Sequence, residues 1–373
     1  MQKLRETIIT TAHRLGFAAA GCAPLRPLEQ RGQFLRDWLA EGRAGEMAWL
    51  AREPERRLDP RLRNPRLRSV ISLAYPYIAP SVPSDDGRGE LRGRIAAYAL
   101  GPDYHDVVLT KARRVAALIT ELHPDAATRV YVDTGPVLER EWAAAAGLGW
   151  FGRNTNLINL YRGSYFFLAE IFTELEFEGP AEPYRDHCGT CRRCLDLCPT
   201  GALTDGLRLD PRLCISYLTI EHRSAIPYDM RSRMGNWIFG CDICQEVCPW
   251  NGDAGRAAAV NSDLRPPLSM VMGLDDDGFR RCYGRTAVHR AKRRGLLRNA
   301  AIALGNSGDP RAVPILARVM STEPEGLVRG HAAWALGQFQ SAEARVALER
   351  AWRCDPEPDV HAEIERALTE LST

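Results

Sequence analysis

Two periods of hydrophobic residues alternate along the first 180 residues of the chain. Apolar side chains recur every three to four positions in four segments that we predict to be helices: 2–16, 28–51, 106–122 and 137–146. Runs rich in β-branched and aromatic residues predict four strands: 17–22, 69–78, 129–135 and 165–172. Helices and strands in alternation indicate one sheet with helices packed on it, so we predict an α/β or α+β domain at 1–180, of which we favour α/β.

The C-terminal part, 263–373, differs because its alanine-rich helical segments repeat. The Ala-Leu-Gly at 303–305 recurs at 335–337, and the Ala-Leu at 335–336 recurs at 367–368, an offset of 32 residues in each case. Repeats of this length with two helices and a turn are typical of HEAT-like solenoids, which bury their faces by stacking. The whole chain is therefore predicted to be α+β, with an all-α, HEAT-like C-terminal region.

Composition and charge narrow the location of the protein. The chain has 373 residues and a net charge of +2, with no apolar run of membrane-spanning length and no signal-peptide pattern near its start. Its eleven cysteines favour metal ligation in a reducing compartment over a disulfide framework. We expect a cytoplasmic protein with no membrane partner, in which any binding of nucleic acid depends on local basic patches.

Eight of the cysteines lie in 187–251, in two related patterns. The first half reads HCGTCRRCLDLCPT and spaces Cys188, Cys191, Cys194 and Cys198 as C-x2-C-x2-C-x3-C-P. This is the bacterial spacing for [4Fe–4S] clusters, in which the fourth cysteine ligates a second cluster. The segment is therefore predicted to bind iron–sulfur clusters.

The second half, GCDICQEVCPWN, lacks one cysteine, because Ile238 stands where it is expected. Cys214, which lies alone between the two halves, is the natural replacement. Eight thiolates then suffice for two [4Fe–4S] clusters. We assign Cys188, Cys191, Cys194 and Cys248 to one cluster, and Cys198, Cys214, Cys241 and Cys244 to the other.

Zinc is the alternative metal for this segment, since paired C-x2-C units also build four-cysteine zinc sites. The C-x3-C-P ending of each half favours iron and sulfur. So does the triple C-x2-C-x2-C, because three thiolates on one tight turn suit the face of a cubane better than a tetrahedron. We interpret 181–262 as a ferredoxin-like module that delivers electrons over a short range.

Two arginine-rich segments are candidates for contacts with anions. The first, 52–68, contains seven arginines among three prolines and is either a solvated surface loop or a phosphate contact. The second begins the repeat region and contains six cations: Arg285, Arg290, Lys292, Arg293, Arg294 and Arg298. Charge runs are usually solvated faces, but RNA phosphates would feel a local field of this density. The pattern alone leaves scaffold and nucleic-acid contact both open.

Polar and glycine-rich positions follow the strand predicted at 129–135. Asp133, followed by Thr-Gly and a helix, is typical of a helix-capping residue. The run from Gly147 to Gly152 has the glycine spacing of a dinucleotide-binding loop, but it follows a helix instead of a strand, which excludes a Rossmann site. A different flat ligand is compatible with these glycines, with Asn154 and Asn156 beside it.

Several motifs together resemble one family, the cobalamin-dependent epoxyqueuosine reductases that modify tRNA. They are RLDPR at 57–61, YALGPDYH at 98–105, VDTGPVLER at 132–140, GWFGRNTNLI at 149–158, the eight cysteines with Cys214 out of register, YLTIEHR at 217–223 and GCDICQEVCPWN at 240–251. The resemblance extends over nearly the whole chain, and the basic repeat region agrees with it.

The resemblance implies a cobalamin-binding domain at 1–180, a two-cluster module at 181–262 and a tRNA-binding helical region at 263–373. Members of the family reduce the epoxide of epoxyqueuosine in the tRNA anticodon loop to queuosine, the last step of queuosine biosynthesis. Electrons pass through the clusters to cobalamin. By the same resemblance Asp133 is the proton donor, a general-acid role that is compatible with helix capping and that requires burial near the corrin.

The cobalamin contacts implied by the resemblance come from two parts of the chain. They are Arg57, Asp133, Arg153, Asn154, Asn156 and Glu170 from the first domain, with Ser216, Gly240, Cys241, Asp242 and Ile243 from the cluster module. Arg153 departs from the family, where lysine is common, which puts its hydrogen bonding in doubt. The DxHxxG motif that supplies a histidine to cobalt in other enzymes is absent, so we expect no histidine on the metal.

The expected partners are tRNA bearing epoxyqueuosine and an external low-potential electron donor, and the chain is expected to be a monomer. Expected tRNA contacts are His222, Arg223, Arg290, Lys292, Arg293, Arg294 and Arg298. Two other functions share some of these parts. A reductive dehalogenase uses the same cofactors but usually has a twin-arginine leader and no basic repeat tail. A non-catalytic electron-transfer protein would not need a first domain rich in glycine and asparagine.

Overall fold

The computed structural model describes residues 1–77, 89–182, 184–252 and 265–372. In these ranges the α-helices are α1 (Gln2–Arg14), α2 (Glu29–Ala40), α3 (Pro54–Leu58), α4 (Tyr104–Leu122), α5 (Glu139–Ala145), α6 (Arg193–Asp196), α7 (Ile215–Ile220), α8 (Tyr228–Arg231), α9 (Ile243–Glu246), α10 (Leu268–Val271), α11 (Asp276–Tyr283), α12 (Lys292–Gly305), α13 (Ala312–Thr322), α14 (Gly326–Gly337), α15 (Ala342–Cys354) and α16 (Pro358–Glu370). The strands are β1 (Ala19–Pro24), β2 (Ser69–Pro76), β3 (Arg94–Ile95), β4 (Thr128–Tyr131), β5 (Trp150–Phe151), β6 (Leu157–Ile158), β7 (Phe166–Thr173), β8 (Leu203–Thr204), β9 (Arg208–Leu209) and β10 (Trp237–Phe239). No helix among them has both the length and the apolar character that crossing a membrane requires.

The chain folds as two compact units, each built from several segments. The described residues of the first unit lie within Met1–Ser81, Gly101–Arg212 and Asp242–Ala259, and those of the second within Val82–Leu100, Leu213–Cys241 and Val260–Thr373. The cysteine-rich segment therefore contributes to both units. The domain boundary predicted at 180 does not coincide with a unit boundary, and the one predicted at 262 lies outside the described residues.

The first unit is built on a four-stranded sheet with the order β1-β2-β7-β4, in which every neighbouring pair is antiparallel. Side chains alternate across it, so that Ile71 and Leu73 pack with α1 and α4, whereas Val70 and Ala74 pack with α5. The α/β domain predicted for 1–180 is wrong in this respect. Its strands do not form the parallel sheet that helical crossovers produce, so the unit is α+β.

The helices of the first unit show where the apolar pattern was informative. The buried residues of α4 include Val108, Ala112, Val115 and Ile119, which recur every three or four positions on one face. The helix predicted at 28–51 instead ends at Ala40. Two glycines with positive φ, at 42 and 45, follow it and interrupt the helical backbone, and only a short 3-10 turn forms at 48–51.

The second unit contains the predicted repeat. Helix α14 packs between α12 and α16, and α13 packs against α15. Glycine is required where these helices meet: a Cβ on Gly305 would lie 2.9 Å from the Cα of Ala335, and one on Gly337 would lie 3.0 Å from the Cα of Ala367. The 32-residue repeat is thus confirmed as a stack of helix pairs. In the same unit β10 pairs in parallel with β3, and α12 packs against β10.

Candidate active site

Asp133 lies on the loop between β4 and α5. Its backbone φ is 50°, a left-handed conformation that few residues other than glycine, asparagine and aspartate adopt and that concentrates at functional sites. Arg57 Nη1 donates to the carbonyl of Gly135 in this loop at 3.5 Å, and a Cβ on Gly135 would collide with the ring of Tyr131. The loop is therefore fixed by contacts on both sides of its backbone.

Two aromatic side chains contact the carboxylate of Asp133. Tyr104 donates a hydroxyl hydrogen bond to Oδ2, and His105 Nε2 lies 3.8 Å from the same oxygen. His105 Nδ1 lies 2.7 Å from Asp103 Oδ1, so the imidazole stands between two carboxylates. The Tyr104 ring stacks on Phe167, with centroids 4.2 Å apart. The motif YALGPDYH supplies these groups, although its pattern assigned no role to Tyr104 or His105.

The burial expected for Asp133 is not provided by the chain itself. Its side chain is 65% exposed, although the loop around it is well packed. An exposed carboxyl at a fixed position is accessible to a substrate. This access matters for a proton donor, because a general acid must reach the atom that it protonates.

Two further carboxyl groups are associated with Asp133. Glu139 Oε1 accepts a hydrogen bond from the Asp133 backbone N–H at 2.5 Å, and Glu170 on β7 is fully buried. Desolvation and then the charge of Asp133 raise the pKa of Glu139 to about 8. Desolvation and then the charge of Glu139 raise the pKa of Glu170 well above its ordinary value. At neutral pH this pair therefore holds protons beside the Asp133 loop.

Several buried polar atoms of the first unit lack a hydrogen-bond partner among the described residues. In the part of the chain that the structure describes, they include both carboxylate oxygens of Glu170, the hydroxyl of Ser72, Trp142 Nε1 and Arg57 Nε. Ser72 is opposite Glu170 in the sheet and favours its ionised form, but its hydroxyl lacks hydrogen-bond geometry. Buried polar groups are nearly always bonded in finished sites. These atoms therefore fit a bound molecule with many amide groups at its edge, such as cobalamin.

The glycine- and asparagine-containing segment after β5 is tied to the cysteine-rich segments of the first unit. Arg153 Nη2 donates to the carbonyl of Gly189 at 2.9 Å. Asn154 is buried, donates to the carbonyl of Cys244 at 3.3 Å and accepts from the Asn156 backbone N–H at 3.2 Å. The segment thus contacts both cysteine-rich stretches of the first unit. Contacts of Arg153, Asn154 and Asn156 with cobalamin remain predictions.

The predicted ligands of the first cluster lie together in the first unit. Helix α6, which contains Cys194, packs against α9, which precedes Cys248. After desolvation, the charges of Cys248, Cys188 and Cys191 are the largest causes that raise the pKa of Cys194 to about 11. These thiols interact electrostatically with Cys194, and four cysteine thiolates are the donor set of a [4Fe–4S] cluster. Their grouping in one cluster remains a prediction.

The predicted ligands of the second cluster belong to both units: Cys198 and Cys244 to the first, Cys214 and Cys241 to the second. Desolvation acts to raise the pKa of Cys198, but hydrogen bonds from Thr200 and from the backbone that follows it lower the pKa overall. Donors directed at a sulfur favour its thiolate form and tune the potential of a cluster. The grouping of these four cysteines in one cluster remains a prediction.

The other predicted cobalamin contacts are also divided: Ser216, Gly240 and Cys241 belong to the second unit, Asp242 and Ile243 to the first. Asp242 is buried and accepts a hydrogen bond from Gln245 at 3.2 Å. Gly240 has a φ of 68°, and a Cβ there would lie 2.4 Å from the Cβ of Ala96. Only glycine fits at this position, one residue before Cys241.

The basic residues predicted to contact tRNA differ in exposure. Lys292 and Arg294 are exposed. Arg290 is about half exposed and forms an ion pair with Glu221 at 2.7 Å. Arg293 is mostly buried and pairs with Glu323 at 2.5 Å.

Arg298 is fully buried, so the prediction that it contacts tRNA is wrong for this fold. The charge run continues onto the face of α12 that packs inward, and a linear pattern of charges does not distinguish that face from the solvated one. His222 and Arg223 are half-buried, and Arg294 donates to the carbonyl of Arg223 at 3.2 Å. Roles for His222 and Arg223 in tRNA binding remain predictions.

Three family models match the chain. One described as "Epoxyqueuosine reductase QueG, DUF1730" matches residues 57–134, one described as "4Fe-4S double cluster binding domain" matches 187–251, and one described as "HEAT repeats" matches 287–369. The second confirms two [4Fe–4S] clusters, and the third confirms the repeat region.

Known proteins match over almost the whole length. An epoxyqueuosine reductase from Xanthomonas campestris is 40% identical over 344 residues, which are 89% of this chain and 95% of the relative. A crystal structure of epoxyqueuosine reductase with an epoxyqueuosine-modified tRNA stem loop has a TM-score of 0.90 at 30% identity and covers 100% of both chains. The structure of a Bacillus subtilis epoxyqueuosine reductase with its catalytic aspartate loop swung out of the active site has a TM-score of 0.91 at 29% identity, over 99% of each chain.

Proposed function

This chain belongs to the epoxyqueuosine reductase family, and on that premise we propose that Asp133 is the proton donor when it reduces epoxyqueuosine in a tRNA anticodon loop to queuosine. The reaction takes up two electrons and two protons and releases the epoxide oxygen as water. The chain binds two [4Fe–4S] clusters and is cobalamin-dependent, as its family is. When bound, cobalamin supplies reducing power to the epoxide, and the clusters deliver electrons singly.

One observation carries the proposal: the Asp133 carboxylate is accessible yet held in place by Tyr104 and His105. An epoxide oxygen is a poor leaving group unless it is protonated as its C–O bond breaks. A positioned carboxylic acid supplies that proton.

The neighbours of Asp133 have separate tasks in this proposal. Tyr104 and His105 orient the carboxylate, since each contacts Oδ2. Glu139 is a positioning residue, because it acts through the backbone N–H of Asp133 and not on the substrate. The protonated Glu139–Glu170 pair keeps negative charge from accumulating around Asp133.

Cobalamin would be bound by buried polar atoms that have no hydrogen-bond partner among the described residues. Arg57 Nε and the Glu170 carboxyl are the groups best suited to its amide side chains, and Asn154 and Asn156 are further proposed contacts. We retain Arg153, Ser216 and the residues Gly240, Cys241, Asp242 and Ile243 as further proposed contacts. The polar groups of these residues would form hydrogen bonds with the side chains of the corrin and would not ligate the cobalt.

For tRNA we propose contacts from the exposed cations Lys292 and Arg294, together with Arg290, Arg293, His222 and Arg223. Most protein contacts with a nucleic acid are made to phosphates and serve to position it, so exposed cations near the start of the repeat suit this purpose. A tRNA substrate places the reaction in the cytoplasm. The external electron donor and a monomeric state remain part of the proposal.

Mass spectrometry of tRNA nucleosides tests this function directly. The anaerobically reconstituted protein, with cobalamin and a chemical reductant, is incubated with tRNA that contains epoxyqueuosine, and the tRNA is then digested. We expect epoxyqueuosine to be converted to a nucleoside lighter by one oxygen atom, and only when cobalamin is present. Unchanged epoxyqueuosine in the presence of full cluster and cobalamin occupancy would contradict the proposal.

A further inference from the structure

Helix α12 carries two adjacent polar side chains, Arg298 and Asn299, that are both fully buried. A buried guanidinium is costly unless hydrogen bonds replace its water. Neither side chain takes part in the chemistry proposed above, and burial keeps both from RNA. Their partners therefore indicate what they do.

Arg298 binds the backbone that follows Cys214. Its Nη2 donates to the carbonyl of Leu218 at 2.7 Å, and its Nη1 donates to the carbonyls of His222 at 2.8 Å and Ser224 at 2.7 Å. Cys214 is the residue that precedes the first turn of α7, and Leu218 lies in its last turn. The guanidinium thus satisfies carbonyls at the C-terminal end of the helix that Cys214 begins, where a positive charge is favourable.

Asn299 joins that helix to the strand that precedes Cys241. Its Nδ2 donates to the carbonyls of Thr219 at 2.9 Å and Ile238 at 2.8 Å, the second of which lies in β10. Its Oδ1 accepts from Arg298, which fixes the orientation of the amide. The Thr219 hydroxyl accepts the backbone N–H of Gly240 at 2.9 Å, one residue before Cys241.

Other repeat residues bind the middle of the same segment. Asn306 Nδ2 donates to the carbonyls of Arg231 and Gly235, both at 2.9 Å. His331 Nε2 accepts the backbone N–H of Ile226 at 3.1 Å. Desolvation lowers the pKa of His331 well below its ordinary value, which keeps the ring neutral and able to accept this bond. The repeat therefore binds the connection between Cys214 and Cys241 along much of its length.

We propose that Arg298 and Asn299, here called the clamp, fix the position of Cys214 relative to Cys241 and are required for assembly of the iron–sulfur cluster that uses these two ligands. The repeat region then has a second task besides RNA binding, namely to hold cluster ligands from another part of the sequence. This inference rests on the assignment of the eight cysteines to two clusters and is independent of the role of Asp133.

Iron content distinguishes this task from a general contribution to stability. Arg329 on α14 is the matched control, because it is also buried and donates to Asp355 and to the carbonyls of Glu323 and Pro324, none of which lies between Cys214 and Cys241. If Arg298 only stabilises the fold, Arg298→Met and Arg329→Met should have the same effect on iron. If the clamp positions ligands, only the first should lose iron.

The experiment compares wild type, Arg298→Met, Asn299→Ala and Arg329→Met after anaerobic reconstitution, without cobalamin or tRNA. Iron and sulfide per folded chain and the EPR spectrum of the reduced protein are measured, and circular dichroism verifies folding. We expect the two clamp variants to retain about half of the iron of wild type, with the EPR signal of a single remaining cluster. Arg329→Met should retain all of its iron. Full iron content in folded clamp variants would overturn the proposal.

If the clamp variants do not fold, a milder variant tests whether the clamp is required for cluster assembly. Thr219→Val keeps the size of the side chain and removes the acceptor for the Gly240 N–H together with the hydroxyl's own hydrogen bonds to the carbonyls of Ile215 and Ser216. Loss of iron in this variant supports the clamp, and wild-type iron content contradicts it. Because no tRNA is present, the outcome is independent of whether the protein reduces epoxyqueuosine.

Discussion

Glu170 in the first unit and Arg298 in the second are both fully buried and ionisable, yet their surroundings are opposite. Arg298 donates hydrogen bonds from all three of its nitrogens, to three backbone carbonyls and to Asn299. Among the described residues, neither carboxylate oxygen of Glu170 has a hydrogen-bond partner. The described residues thus satisfy the hydrogen-bonding groups of Arg298 but not those of Glu170.

This difference extends to the parts of the molecule around them. In the repeat, Arg298, Asn299, Arg329 and His331 are buried and bonded, which favours one fixed arrangement of helices. Around Asp133, a left-handed backbone occurs together with the buried polar atoms of Glu170 and Ser72, which have no hydrogen-bond partner among the described residues. Proteins depart from local rules of stability chiefly at functional sites. Substitutions in the first unit should therefore reduce activity with little loss of stability. Substitutions in the second unit should mainly reduce stability.

The largest effect on activity is expected for a substitution in the first unit. Asp133→Asn should lower turnover of epoxyqueuosine by about 100- to 10,000-fold, because the amide cannot donate the proton. Asparagine tolerates a positive φ, so the loop should keep its conformation. Nucleoside mass spectrometry gives the rate, and the melting temperature and iron content serve as controls. Full turnover would remove Asp133 from the mechanism.

The second unit should respond in the opposite way. Arg329→Met removes the main partner of the Asp355 carboxylate. Asp355 Oδ2 lies 2.6 Å from Arg329 Nε, and its side chain is almost fully buried. We expect a loss of about 3–5 kcal/mol in the free energy of unfolding of the repeat. Urea denaturation followed by circular dichroism measures it. Turnover per folded molecule at low temperature should match wild type. A lowered rate would contradict the expectation that substitutions in the repeat reduce stability and not activity.

The pH dependence of stability tests whether Glu170 is an unsatisfied acid. Its pKa is raised in the folded chain, so the stabilisation from its proton is complete below pH 4.5, the ordinary value, and is lost as pH rises toward the folded pKa. Glu170→Gln should remove this dependence. The free energy of unfolding of the variant should therefore rise relative to that of wild type by up to about 1.4 kcal/mol per pH unit above pH 4.5. Urea unfolding at pH 5 and pH 7 measures the difference between the variant and wild type.

A pair of variants at Glu139 separates positioning from proton storage. Glu139→Ala removes the acceptor of the Asp133 N–H and should lower kcat about 5-fold with little change in KM, since one hydrogen bond between uncharged groups contributes about 1 kcal/mol. Glu139→Gln keeps an acceptor oxygen and should restore most of kcat. Equal losses in both variants would instead assign Glu139 a role in proton supply.

The smallest effect is expected at the exposed cations of the repeat. Lys292→Ala with Arg294→Ala should weaken binding of a tRNA stem loop only several-fold. The slope of log K against log salt should become shallower by about 0.7–0.9 for each phosphate that the variant no longer neutralises. Fluorescence anisotropy at several salt concentrations measures both. Arg353→Ala, an exposed arginine on α15, is the control. An unchanged slope would leave the repeat as a scaffold alone.

Sequence spacing predicted the parts whose chemistry acts over a few residues. The ligand set of Cys188, Cys191 and Cys194 follows from the geometry of a cluster, and the repeated Ala-Leu-Gly follows from helix packing, since Gly305 and Gly337 stand where neighbouring helices meet. The apolar face of α4 was equally visible, because burial on one side of a helix leaves a period in the sequence.

Features that depend on contacts between distant segments could not be predicted. The antiparallel sheet depends on how strands pair, which alternating helices and strands do not determine. The burial of Arg298 depends on a backbone 80 residues earlier, with which it forms hydrogen bonds. Tyr104 and His105 acquire their role only when α4 begins beside the end of β4. Their motif was conspicuous, but nothing in its spacing relates it to Asp133.

The clamp also has a consequence for the order of events during synthesis. The ribosome makes Cys214 and Cys241 well before α12, and the acceptors of Arg298 and Asn299 precede these residues by 61 to 80 positions. The connection between the two cysteines therefore emerges without the side chains that hold it. Its native backbone hydrogen bonds form only after the start of the repeat has left the exit tunnel, so completion of this ligand set is delayed until late in translation.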